Sequence, residues 1–516
     1  MTLTKEQYSA FEDIVGPEYI SADPVIMYPY SWRSGLYAGV DSFTHLFEAA
    51  VLPQSTEEVQ AIVKLCNKYK LQFKATSTNW GPYNDATGPG VIKIDLRRMN
   101  RIIEINEKNM YAVVEPYVIG AQLQAECMKR GFNCNQNGAG TNCSALPIAA
   151  HCGFGHLSQS GSYGDRNQLA LEWVTPEGEI IRLGSLGSSN EWFCGDGPGP
   201  SLRGIVRGNV TPLGGLGVFT KAAQKIYPWF GPTTWPVEGV SPRYTPSHIP
   251  EHFMIRFFSF PSIDKLDEAQ QKIGEAEIAY ELMGFNPAMA ASNIATSNQE
   301  MVKLFAEFNQ MVQGPCCMVI IAGDSPSDFE YKTKVLMQIA EETQGKSLNK
   351  LTDDPKVAGG CLWRWTRSCA SIREVFRATG CFGGEVGGTD VFRLMTDYIV
   401  ETGKCKDDLI KRGLVYNDGS SPFTQCIEHG HTGHGELLIR YIPNQATWDG
   451  LMEFMVKANK IAIDGHFGVP GHVFSDAQHD VYGPHVSNYH LWLRKIKEGF
   501  DPNNASEGSN YITVKE

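Results

Sequence analysis

PQSTEEVQAIVKLCNKYKLQFKATSTNWGP, residues 53–82, is the stretch on which the fold turns. Ser55 and Thr56 give a helix-start signal, and Val59, Ile62, Val63 and Cys66 recur at helical spacing. LQFKAT reads as a short strand after that helix, so residues 53–75 predict a βαβ-like unit. The following loop sets Thr76, Ser77, Thr78 and Asn79 in succession, then Trp80 and Gly81. Consecutive amides and hydroxyls in such a loop wrap a pyrophosphate as an anion-binding nest. A polar surface turn has the same composition. Neither G-x-G-x-x-G opening a βαβ unit nor G-x-x-x-x-G-K-[ST] occurs, so the two commonest phosphate cradles are absent.

Outward from this unit, VIKIDLRRMNRIIEIN and MYAVVEP predict two strands around a turn, with apolar alternation in IKIDL and IIEI. GAQLQAECMKRG predicts a helix ending on glycine. Residues 138–164 are rich in Gly, Ser and Ala and poor in charge, which suits backbone packed against a ligand. LALEWVTPEGEIIRLG predicts a hairpin turning at Pro-Glu-Gly. GPGPSLRGIVRGNVTPLGGLGVFTKAAQKIYPW closes this half with clustered glycines. From about residue 240, predicted helices over 264–283, 297–313 and 327–344 alternate with the strands FMIRFFSF and CCMVIIAG, an α+β pattern. YHLWLRKIKEGFDPNNASEGSNYI predicts an amphipathic helix and a Pro/Asn/Gly loop.

At 516 residues the chain exceeds one compact core, so two or three domains are expected. A net charge of −12 argues against a nucleic-acid partner. No run of about 18 apolar residues predicts a membrane span, and the N-terminus lacks an apolar signal core, so a cytoplasmic protein is expected. Thirteen scattered cysteines without C-x-x-C spacing predict reduced, buried thiols.

One cluster asks for chemistry. CIEHGHTGHGELLIRY, residues 426–441, holds His429, His431 and His434 with Glu428 and Glu436. Metal ligation, a covalent flavin anchor, or proton transfer beside a substrate would each use such residues. Hydrogen-bonded lining of a polar pocket is the plain alternative.

ATSTNWGP, VIKIDLRRMNRIIEINEKNMYAVVEP, SYGDRNQLALEWVTPEGEIIRLG, GPGPSLRG and GLGVFTKA, in this order and spacing, resemble the vanillyl-alcohol oxidase and 4-cresol dehydrogenase family of FAD-dependent oxidoreductases. The C-terminal YGPHVSNYHLWLRKIKEGFDPNNASEG resembles that family's closing helix and Asp-Pro-Asn loop. The resemblance covers residues 50–230 and 480–512 and is loose over about 240–425. It implies an α+β, two-domain fold: an FAD domain built from residues 1–238 and 476–516, and a substrate cap over 239–475. The pyrophosphate would lie on Thr76, Ser77, Thr78, Asn79, Trp80 and Gly81. The flavin would run along Ser144 to Ser162, past Gly155 and up to Tyr163, and over Gly217-Val218. FAD is a dianion with a flat apolar ring and wants amides, hydroxyls and glycines rather than a metal.

By the same resemblance, Asp165 falls where the family places a carboxylate near flavin N5. The family's phenol-binding Tyr-Arg pair is missing from HFGVPGHVFSDAQHDVYG, leaving Tyr83 as a loop tyrosine and His466 or His472 in the arginine's place. The family's covalent flavin anchor is a His or Tyr; GCFGGEVGGTDVFR has neither, only Cys381, so FAD held without a covalent bond is expected. D-lactate and glycolate dehydrogenases resemble the chain as well, with a Gly-His-x-Gly-x-Gly-x-x-His metal segment. Here Leu438 stands at the second ligand position and Pro470-Gly471-His472 replaces a Glu-His pair. No metal is favoured; a variant site would draw on His431, His434 and His472 with Glu436. The expected activity is hydride removal from an alcohol or phenol-derived side chain, with His434, His431 or His472 as base, Asp165 assisting, and His429 on the pocket wall. A 2-hydroxy-acid dehydrogenase on a metal is the alternative, and a flavin electron-transfer subunit of a larger complex is one of another class. Partners are a small-molecule substrate, an electron acceptor (oxygen or a redox protein) and a second copy in a homodimer.

Overall fold

Val59, Ile62, Val63 and Cys66 are fully buried along the helix Thr56–Tyr69, and Ser55 caps it by accepting from the Glu58 amide. In this computed structural model the described residues are 3–31, 45–79, 85–86, 88–137, 140–148, 155–157, 159–161, 164–189, 191–192, 201–207, 212–240, 242–312, 314–367, 377–418, 422–467 and 475–514. The capped helix joins two strands of a small sheet. Strands β1 (Ile20–Ser21), β2 (Ala49–Val51), β3 (Gln72–Thr76) and β4 (Val91–Asp95) lie in the order β1-β2-β4-β3. β2 and β3 both run parallel to β4, so the βαβ-like unit is present with β4 inserted between its strands.

The run VIKIDLRRMNRIIEIN divides where one strand was predicted. After β4, the Asp95 carboxylate accepts from the Arg97 amide, and Met99 N–H closes a turn on Leu96 O. The chain then enters a second sheet as β5 (Ile102–Asn106), which pairs antiparallel with β6 (Tyr111–Val114). That six-stranded sheet also takes β7 (Phe132–Cys134), β10 (Gln168–Val174), β11 (Ile180–Arg182) and β12 (Val218–Pro228). β8 (Gln136–Asn137) and β9 (Gly155–His156) form a separate short pair. The helix Gly120–Met128 and the β10–β11 hairpin, turning at Gly178 with φ +84°, follow the sequence reading.

Beyond a small hairpin of β13 (Val237–Val240) and β14 (Arg243–Pro246), the remaining strands build one seven-stranded sheet. They are β15 (Phe253–Ser259), β16 (Glu281–Phe285), β17 (Cys316–Ala322), β18 (Lys346–Ser347), β19 (Cys381–Asp390), β20 (Phe423–Ile427) and β21 (Thr432–Tyr441), in the order β18-β15-β17-β16-β20-β21-β19. The helix predicted over 264–283 stops at Glu275, and Glu277 turns with φ +53°. Residues 281–285 become β16 instead, buried at every position and paired on both sides. A strand buried on both faces shows no alternation, which is why ELMGF did not declare itself.

The two faces of this sheet carry different loads. Leu437, Ile439 and Tyr441 pack with the helices Ile263–Glu275, Phe392–Lys411 and Gln445–Asp464. Phe257, Met283, Phe285, Met318, Phe423 and Leu438 look the other way, toward Leu157 and Trp229 from the first half of the chain. The C-terminal segment returns to that first half. Phe73 N–H donates to Ala505 O at 2.8 Å, and Glu507 N–H donates to Phe73 O at 3.0 Å. Fully buried Lys74 pairs with Glu507 at 2.6 Å, and buried Lys497 pairs with Asp501 and donates to Gly215 O at 2.8 Å. The fold is thus two-domain and α+β, with one domain made by both ends of the chain. No described helix is long and apolar enough to cross a membrane, and all ten described cysteines are free thiols.

Candidate active site

The histidine cluster is a β-hairpin. β20 and β21 pair antiparallel, and the turn between them holds Glu428, His429 and Gly430 at φ +49°, +55° and +89°. This geometry sends the three histidines to different places. His431 is exposed in the turn, and His429 is half-buried with its backbone N–H donating to Gln159 O at 3.0 Å. His434 lies within β21 and is 5% exposed.

Cross-strand register surrounds His434 with polar partners: Thr389 on β19 and Gln425 on β20 stand directly opposite it. Paired residues share a sheet face, so all three point the same way. Thr389 Oγ1 lies 2.7 Å from His434 Nδ1, and Glu436 Oε1 lies 3.1 Å from Nε2. An ionised carboxylate only accepts, which assigns the ring proton to Nε2 and leaves Nδ1 to accept from the Thr389 hydroxyl. Burial drives the imidazole pKa down to about 3, so the ring is neutral at ordinary pH. The result is a hydroxyl–imidazole–carboxylate chain on a covered sheet face.

That face is fastened to the Gly/Ser/Ala-rich segment of the first half. Gln425 Nε2 donates to Gly155 O at 2.9 Å, and Leu157 N–H donates to Glu281 Oε2 at 2.7 Å. Ser160 Oγ donates to Tyr280 O at 3.0 Å, and Arg166 forms an ion pair with Glu428. Burial raises the Glu281 carboxyl to about 7. The Gln159 side-chain amide is fully buried, and neither its oxygen nor its nitrogen has a protein partner. A buried amide left so is a polar group waiting on a ligand or water.

The loop after β3 is tied to the same segment. Thr76 Oγ1 donates to Asn79 Oδ1 at 3.1 Å, Asn79 turns with φ +55°, and Ser144 N–H donates to Thr78 Oγ1 at 3.2 Å. Ser144 Oγ is itself held by Pro116 O at 2.5 Å. At Gly217, φ is +88° and an added Cβ would fall 2.2 Å from Val174 O, so neighbouring backbone requires glycine there. At Gly155 an added Cβ would meet Gln136 O at 1.8 Å. Val218 is buried beside Gly217 at the start of β12.

Other expected site residues separate. His466 is exposed in the turn after the helix Gln445–Asp464. Asp165 sits in the short turn Gly164–Asn167, its side chain outside the described residues, as are Trp80, Gly81, Tyr83, Ser162, Tyr163 and His472. Leu438 is core on the site face, and Cys381 packs on the opposite, helix-covered face with its thiol pKa raised by burial. Among the described residues no group of three or more His, Cys, Asp or Glu is placed to hold a metal ion. Sequence reading missed Thr389, Gln425, Glu281 and Gln159. Strand register brings Thr389 and Gln425 to His434, while Glu281 and Gln159 are joined by hydrogen bonds to Gln425 and to the His429 backbone, and no local motif announces either.

Residues 47–184 match a protein-family profile described as an FAD binding domain. The chain is 28% identical over 206 residues to the 4-cresol dehydrogenase [hydroxylating] flavoprotein subunit of Pseudomonas putida, covering 38% of this chain and 38% of that protein. It is 23% identical over 458 residues to a probable mitochondrial D-lactate dehydrogenase of Danio rerio, covering 84% of this chain and 77% of that one. The chain spans less than two fifths of the length of the 4-cresol dehydrogenase subunit and of two other curated proteins it matches. Among solved structures, p-cresol methylhydroxylase with substrate bound superposes with a TM-score of 0.76 at 17% identity, over 100% of this chain and 98% of that one. The fold is that of the two-domain FAD-linked oxidases, and the cofactor is FAD. The residues present suit it: Thr76 to Asn79 offer hydroxyls and amides without a carboxylate side chain, and the Gln159 amide is buried without a protein partner.

Proposed function

We propose, from the premise that this chain is an FAD-linked oxidase by fold with an FAD-binding domain over residues 47–184, that it is an FAD-dependent oxidoreductase. It would remove a hydride from a carbon bearing, or activated by, oxygen, in an alcohol or phenol-derived side chain. FAD, when bound, supplies the hydride acceptor. Thr76, Ser77, Thr78 and Asn79, with Trp80 and Gly81, would hold its pyrophosphate. Ser144, Gly155, Ser162, Tyr163, Gly217 and Val218 would flank the flavin, with Asp165 near it. Residues 1–238 and 476–516 would carry the cofactor, and 239–475 the substrate.

The observation that carries the chemistry is the Thr389–His434–Glu436 chain on the sheet face joined to Gly155 and Leu157. Thr389 Oγ1 takes the proton of the substrate hydroxyl as its own proton passes to His434 Nδ1. Glu436 then faces the imidazolium it stabilises, as the carboxylate of a hydroxyl–His–carboxylate triad does. The exposed position of His431 favours His434 over it as base, and His472 is the remaining alternative. Oxygen or a redox protein would reoxidise the cofactor, and a homodimer is the expected assembly.

The purified chain is expected to be yellow and to release FAD on acid treatment. His434→Ala should keep FAD and lose turnover; near-normal activity of that variant rejects the base assignment. A second reading, a 2-hydroxy-acid dehydrogenase on a metal, is favoured by the long alignment with D-lactate dehydrogenase. Stoichiometric divalent metal in the active protein would select it, and full activity after chelation would remove it.

A further inference from the structure

One row of paired residues crosses six strands of the large sheet: Phe257, Met318, Met283, Gln425, His434 and Thr389. All six side chains share a face, and the row changes character in its middle. Thr389, His434 and Gln425 are the polar half described above. Met283, Met318 and Phe257 floor a cavity of about 70 Å³. Its other walls come from the helices Pro287–Ile294, Asn298–Met311 and Pro355–Thr366, with Ala290 and Met289 at its side. Strands lie about 4.8 Å apart, so Met283 stands roughly 10 Å from His434 along the row.

The lining is apolar apart from Asn293 and Arg364; a mainly apolar cavity takes apolar guests, and one of about 150 Å³ holds benzene. By that measure the space here suits about three carbon atoms. Methionine suits the boundary between the two halves, because its unbranched side chain repacks readily around a guest.

We propose that this cavity is a tail compartment, and that the substrate is an amphipathic alcohol. Its oxidisable carbon sits by Thr389 and His434, and a short apolar tail of about propyl size lies past Met283. The assignment rests on the function proposed above and names its substrate class. Polar polyols and unbranched small hydroxy acids would leave the cavity unused.

The test separates the compartment from the chemistry by using two readouts on the FAD-loaded protein. Propylbenzene, which has no oxidisable hydroxyl, should raise the melting temperature of the wild type and not that of Ala290→Phe, which fills the cavity. Anaerobic flavin bleaching should give 4-propylbenzyl alcohol a kcat/KM at least tenfold above that of benzyl alcohol. That ratio should fall at least tenfold in Ala290→Phe. Met289→Ala, which enlarges the space, should shift the best tail from propyl toward pentyl, and it serves if Ala290→Phe does not fold. No shift with propylbenzene, or equal kcat/KM for the two alcohols, overturns the proposal. Propylbenzene binding with no bleaching by either alcohol overturns the substrate assignment through the proposed function alone, leaving the compartment standing.

Discussion

Replacing Glu436 with glutamine tests the hydroxyl–imidazole–carboxylate chain most directly. Glu436 Oε1 lies 3.1 Å from His434 Nε2, with side-chain exposures of 12% and 6%. The neutral ring gains little from the carboxylate's charge, but the imidazolium formed during proton transfer gains much. Unit charges about 4 Å apart in an effective dielectric of about 20 attract by about 4 kcal/mol. Glutamine keeps an acceptor for the Nε2 proton and removes the charge. At about 1.4 kcal/mol per decade, flavin reduction should slow by about a thousandfold. The assay is anaerobic stopped-flow bleaching of the flavin bands at saturating alcohol, with FAD content read from the same spectrum. A rate within fivefold of wild type in Glu436→Gln, with FAD retained, would refute the argument.

Further outcomes follow from the same geometry. Thr389→Val keeps the side-chain shape and removes the hydroxyl on Nδ1; reduction should slow by about a hundredfold or more, with FAD content unchanged. Burial lifts the folded-state carboxyl of Glu281 to about 7, so the fold binds this proton more tightly than the unfolded chain does. Its stabilising effect is present below the unfolded pKa of about 4.3 and is lost as pH rises through about 7. Glu281→Gln should remove that slope, roughly 3 kcal/mol between pH 4 and 8, in urea titrations compared with wild type. Asp267, also raised to about 7 by burial, retains its own slope in both proteins, so the difference isolates Glu281. Asp418 is buried between Lys406 at 2.6 Å and Arg440 at 3.2 Å. Asp418→Asn leaves two buried cations facing each other and should cost about 3–5 kcal/mol in the same titration. A loss under 1 kcal/mol would count against that pairing.

The first half of the chain was legible because its chemistry is local. Val59, Ile62, Val63 and Cys66 show one helical face, and Gly178 marks its own turn. VIKIDLRRMNRIIEIN misled because the break depends on Asp95 capping the Arg97 amide, a contact that looks like an ordinary polar residue in sequence. ELMGF misled because burial on both faces erases the period. The three histidines were visible, but not their divergence, which follows from the left-handed residues 428–430. Thr389 and Gln425 reach His434 only through register between strands far apart in sequence, information no spacing contains.

The tie between Lys74 and Glu507 spans 433 residues. At about 5–20 residues per second, a nascent Lys74 waits about 20 to 90 s before its partner leaves the ribosome. Throughout that interval β3 has neither the Ala505 and Glu507 backbone bonds nor a counter-ion at Glu507. The sheet that holds β3 is thus completed late although β3 itself is made early. Synthesis rate and chaperone occupancy should govern the yield of loaded enzyme as strongly as any change in final stability, and slowing translation of the segment before residue 497 should alter yield without altering the melting temperature of the protein recovered.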